Sequence, residues 1–165
     1  MLNLAVGDVV VYGAHGAGSV AARETRSLHG EQQTVVVIAL AGGLSVQLPL
    51  ALAREQLRPV VDDAGIATIE RVLRDAPSSS SESWQKRQRE AHAKLGDAIG
   101  LAEILRDIGA PEAPPAGRPP ARLSPSEHAL VRRARTLLAT ELALARHFSV
   151  ADAEAWIDDQ LAVTR

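Results

Sequence analysis

The hydrophobic period of this 165-residue chain changes once, near residue 60, and that change limits the fold more than any other feature. Before it, β-branched runs dominate: Val9-Val10-Val11-Tyr12, Ser19-Val20-Ala21-Ala22 and Thr34-Val35-Val36-Val37-Ile38. Gly13, Gly16, Gly18, Gly30 and the pair Gly42-Gly43 punctuate them. Glycine accepts the positive φ of tight turns, so Gly42-Gly43 predicts a hairpin between Ile38-Ala39-Leu40 and Leu44-Ser45-Val46. Pro49 cannot donate to a ladder and ends the run. Short strands in such density predict a small SH3- or Tudor-like β barrel over residues 1–60.

From about Asp62 the spacing becomes helical. Ile66, Ile69, Val72 and Leu73 form one stripe, closed by Ala76-Pro77. Ser79 with Glu82 fits a capping box for a helix from Glu82 to Leu95, which stops at Gly96. Asp97 can cap a further helix bearing Ile99, Ile104, Leu105 and Ile108. Residues 110–122 hold five of the nine prolines and predict an extended linker. Ser124-Pro125-Ser126-Glu127 then restarts helix, with Ser124 at N-cap, Pro125 at N1 and Glu127 at N3. Leu130, Val131, Ala134, Leu137, Leu138, Leu142 and Ala145 continue it as an apolar stripe. Ser149 opens a final helix in which Trp156 is expected in the core. The expected class is α+β: a small barrel, then an all-α domain over residues 61–165.

With aromatics at 2% the core must be built from Val, Ile, Leu and Ala. Cysteine is absent, which removes disulfides and thiolate metal sites and fits a reducing cytoplasm. No run approaches the ~18 apolar residues of a membrane span. The first residues reach Asp8 without a basic segment, so no signal peptide is expected. The net charge of −2 is unevenly placed. Residues 83–95 carry Lys86, Arg87, Arg89 and Lys94 against Glu90, and residues 124–148 carry Arg132, Arg133, Arg135 and Arg146 against Glu127 and Glu141. Two basic helices give weak support to a polyanion partner, and on charge alone solvated helix faces are the plainer reading.

Reaction chemistry finds little support. Gly13-Ala14-His15-Gly16-Ala17-Gly18 lacks the Lys-Ser/Thr of a phosphate loop and leads into a strand. His15, His29, His92, His128 and His147 are scattered without metal-ligand spacing. No enzyme, metal or cofactor is expected. Trp84 is more informative, because it opens the basic run Ser83-Trp84-Gln85-Lys86-Arg87-Gln88-Arg89. An indole there can seal a core patch beside Ala91 and Leu95, or it can stand as a wedge against bases between cations. The residues alone leave both open.

Across nearly its whole length the chain resembles the CarD/CdnL family of bacterial RNA polymerase-binding regulators. The likeness starts with Val6-Gly7-Asp8-Val9-Val10-Val11-Tyr12 and His15-Gly16-Ala17-Gly18. It continues through Glu24-Thr25-Arg26-Ser27-Leu28-His29-Gly30 and Leu44-Ser45-Val46-Gln47-Leu48-Pro49. In the second half Ser83-Trp84, Leu95-Gly96-Asp97, Ala102-Glu103-Ile104-Leu105 and Leu123-Ser124-Pro125-Ser126-Glu127 follow in order.

The resemblance implies a Tudor-like domain that docks on the RNA polymerase β subunit, a module shared with transcription-repair coupling factors. It also implies helices that approach promoter DNA at the upstream edge of the bubble and stabilise the open complex with little sequence preference. On this likeness Trp84 is the minor-groove wedge, and Lys86, Arg87, Arg89 and Arg133 are DNA-facing cations. His128 stands where relatives carry a cation, and a histidine carries less charge near neutral pH. Arg26 matches an arginine that contacts β, whereas the second such arginine is Gln47 here, so one charge-assisted contact is missing. Relatives carry tyrosines where Val35 and Val36 stand, and a shorter helical turn in place of residues 110–122. The expected protein is a cytoplasmic monomer, associated with the nucleoid through polymerase. The rival expectation is an adaptor that binds polymerase or another protein without touching DNA, with Trp84 in its core.

Overall fold

The computed structural model describes residues 2–78, 83–109, 116–117 and 122–163, with the side chain of Trp84 outside that description. The N-terminal half is one antiparallel sheet. Its strands are β1 (Val9–Val11), β2 (Ala17–Leu28), β3 (Glu31–Leu40), β4 (Ser45–Pro49) and β5 (Arg58–Pro59), in the order β4-β3-β2-β1-β5. A helix, α1 (Leu50–Gln56), enters between β4 and β5.

Here the sequence expectation needs correction. The predicted barrel is an open sheet, because the edge strands β4 and β5 share no ladder. Two further differences have local causes. β2 runs well beyond the predicted Ser19–Ala22, pairing with β3 as far as Leu28 opposite Glu31. The connection is a two-residue turn in which His29 (φ 54°) and Gly30 (φ 85°) both take positive φ, the conformation that matches strand twist. The predicted hairpin at Gly42-Gly43 is present, with Ala39 opposite Ser45. Gly18 is required where β2 passes β3: a Cβ there would lie 2.2 Å from the Ala39 carbonyl oxygen. Alternation puts Val10, Val20, Val36, Ile38, Leu40 and Leu48 on one face, where Leu4 and α1's Ala53 complete a small core.

The second half is helical: α2 (Asp63–Arg74), α3 (Trp84–Ala93), α4 (Ala98–Asp107), α5 (Pro125–Arg146) and α6 (Val150–Ala162). Each start has a stated cause. Asp62, Ser83, Asp97, Ser124 and Ser149 accept from the amides of Gly65, Lys86, Gly100, Glu127 and Asp152, and Ser124 with Glu127 closes the predicted capping box. The box predicted from Ser79 and Glu82 lies outside the described residues, as does the linker at 110–122 apart from residues 116, 117 and 122. Ile66, Ile69 and Leu73 of α2, Leu101 and Leu105 of α4, Leu138 and Leu142 of α5 and Ile157 of α6 form the larger core. Each such side chain stabilises by roughly 1.5–3 kcal/mol relative to exposure. Trp156, expected inside, is half-buried at the core's rim.

Candidate functional site

Arg26 and Gln47, read separately in the sequence, meet on the sheet. Residues two apart in a strand share a face, so Glu24 and Arg26 of β2 project together. The Arg26 guanidinium donates through Nε and Nη2 to Oε2 of Glu24, with the Nε bond at 2.8 Å. Its Nη1 reaches across β3 and donates to Oε1 of Gln47 on β4 at 2.7 Å. The fork is therefore aimed before any partner arrives, and both Nη atoms keep an N–H directed elsewhere. Glu24 is the residue that sequence reasoning missed here; its same-face spacing from Arg26 was the available signal.

α3 offers a different surface. Ser83 caps it through the Lys86 amide at 3.4 Å, and Trp84 is its first residue. Lys86, Arg87 and Arg89 are exposed, with Lys86 Nζ 3.8 Å from Oε1 of Glu90. Among the described side chains of α3 only Ala91 is buried, and Leu95 just after it joins the same core. Arg87 lines a cavity of about 240 Å³ with Ser78, Glu90, Lys94, Glu103 and Asp107. Burial opposes charge on the Asp107 carboxyl, but hydrogen bonds from Arg106 and from Ser78 outweigh it and hold its pKa below the usual carboxylate value.

The remaining sequence candidates lie on α5. His128 and Arg133 are exposed, and Nη2 of Arg133 donates to the Ala14 carbonyl at 2.7 Å. Arg132, His15 and Thr136 join Arg133 around a shallow groove of about 320 Å³. α3 and α5 are separate supports, yet both meet the turn Gly13–His15. The turn Lys94–Gly96 that ends α3 packs on it, and Arg133 is tied to it. One loop of the sheet thus underlies both cationic sets.

Across the same seam runs a contact with no sequence signature. Glu141 of α5 is 1% exposed and accepts from Arg58 of β5 and from the Val61 amide. Among the described residues no three His, Asp or Glu side chains could hold a metal, and no helix is long and apolar enough to cross a membrane. The surfaces on view are suited to holding partners: a fixed guanidinium on the sheet and exposed cations on the helices.

Comparison with known proteins matches each half to a described domain. Residues 4–61 match the CarD-like/TRCF RID domain, and residues 68–158 match the C-terminal domain of CarD. The candidate transcription factor YdeB of Bacillus subtilis (strain 168) is 28% identical over 107 residues, covering 62% of this chain and 70% of its own length.

Proposed function

This chain belongs to the CarD family of transcription regulators, and we propose that it works by bridging the RNA polymerase β subunit and promoter DNA at the upstream edge of the bubble. In this reading residues 1–60 form the Tudor-like docking unit and residues 61–165 the DNA-facing unit. The observation that supports it is the coexistence of two contact surfaces in one chain, whose two halves pack along a shared seam. Arg26, aligned by Glu24 and Gln47, suits one defined acceptor on a protein. Lys86, Arg87 and Arg89 suit phosphates, which reward charge more than orientation. His128 and Arg133 extend that surface on α5, and Trp84 stands at the start of α3, where a wedge would enter a distorted minor groove.

No bond need be made or broken. A regulator that binds open promoter better than closed promoter by ~1.4 kcal/mol shifts melting tenfold. The protein acts as a cytoplasmic monomer that reaches the nucleoid through polymerase. Promoter-melting kinetics test this directly. Added wild-type protein should lengthen the open-complex lifetime, and Trp84→Ala should remove roughly tenfold of it while polymerase binding is kept. No effect of the wild-type protein on melting defeats the proposal. The adaptor reading draws on the acids Glu90, Glu103 and Asp107 around the α3 cavity, which weaken the local positive field. It predicts Trp84 emission that is blind to forked promoter DNA.

A further inference from the structure

Glu141 sits in the middle of α5, where an unpaired carboxylate would be costly. Its Oε1 accepts from Nη1 of Arg58 at 2.7 Å and from the Val61 amide at 2.9 Å, while Oε2 accepts from Nη2 of Arg58 at 2.8 Å. The same guanidinium donates through Nε to the Gly96 carbonyl at 2.9 Å and through Nη1 to that of Pro59 at 3.1 Å. One side chain therefore ties together the sheet edge at β5, the turn that ends α3, and the long helix α5. Around it the seam is tight: the Cβ that Gly16 lacks would stand 3.2 Å from Cδ2 of Leu137, and Arg133 holds Ala14.

Buried ion pairs add little stability over apolar packing of the same volume, but they accept few geometries. A planar fork on a carboxylate is especially selective for orientation, and lysine cannot reproduce it. We infer that Arg58 and Glu141 are positioning residues, a clasp that fixes the angle between the Arg26–Gln47 face and the α3–α5 face so that both partners are engaged at once. This rests on the bridging reading above. Two linked contacts reinforce each other only as far as the second site is held within reach and in orientation, so a loosened joint lowers the effective concentration without altering either surface.

The absence of native cysteine allows clean spin labelling of the full chain at the exposed positions Ser45 and Ala155. In wild type the distance distribution should be narrow. The double variant Arg58→Met/Glu141→Leu removes both charges together, leaving none orphaned, and should fold with an unchanged melting temperature but at least a roughly twofold broader distribution. Its binding to polymerase alone and to promoter DNA alone should match wild type, while open-complex lifetime falls about fivefold. A distribution that stays narrow overturns the clasp, as does a broad one with undiminished lifetime. Should the double variant fail to fold, Arg58→Lys keeps the charge and loses the fork; a narrow distribution there is equally fatal. If wild type itself leaves melting unchanged, the bridging reading fails, whereas the distance measurement still decides whether the joint is clasped.

Discussion

On the sheet, Arg26 is gripped by Glu24 on its own strand and by Gln47 two strands away. On α3, Arg87 and Arg89 project into solvent without an ion pair among the described residues. The same guanidinium group is thus used in two ways. Neutralised by Glu24, Arg26 contributes little long-range field and offers direction, which is what recognition of a single acceptor requires. Arg87 and Arg89 offer exposed charge that no neighbouring acid among the described residues aims, which suits a phosphate backbone whose sequence is not being read. Under the proposed bridging role, specificity for a protein and tolerance for many promoters call for opposite treatments of one side chain.

Substitutions can break or sharpen that contrast. Arg26→Glu should have the largest effect: affinity for the β subunit falls about a hundredfold, ~3 kcal/mol, with an unaltered melting temperature, as measured by interferometry and calorimetry. Gln47→Arg removes a neutral acceptor beside Arg26 and supplies the second cation of the family pattern. Titration should show β binding tightened by roughly tenfold, in keeping with a charge-assisted contact. Arg89→Ala should weaken DNA binding only a few-fold, and equally for unrelated promoters. Its signature is the slope of log K against log salt, which should become shallower by about one.

The smallest effect is on acid stability beside α3. Asp107 has its pKa lowered in the folded state, so its contribution is complete above the unfolded value of about 3.9 and is lost as pH falls through the lowered folded value. Acid titration followed by circular dichroism should therefore show Asp107→Asn losing the part of the wild-type stability that declines below the ordinary carboxylate range.

Much of the helical half was legible because its signals are local. Asp97, Ser124 and Ser149 each cap the helix that their spacing announces, and the stripe Ile66-Ile69-Val72-Leu73 is buried as read. The sheet was less legible. Arg23 to Ser27 is polar on both faces, so alternation of hydrophobicity says nothing there, and only pairing with β3 makes it strand. α1 buries just Ala53, too little for a period to show. Barrel closure depends on how far a whole sheet curls, which no short window encodes. For the contact faces, residue type marked Arg26, Gln47, Lys86, Arg87 and Arg89, but the bond from Arg26 to Gln47 spans 21 positions. Arg58 and Glu141 lie 83 apart, and neither has a neighbour in sequence that betrays it. Long-range polar pairs leave no periodic trace.

An unclosed sheet keeps two free rims, and rims are where β-proteins stack into ribbons. Here one rim, β4, is five residues long and ends at Pro49, while the other, β5, is two residues long and ends at Pro59. A proline has no amide hydrogen to lend an incoming strand, and so few residues offer a poor template. Brevity and proline do for this sheet what closure does for a barrel: they deny a second chain the template it would need.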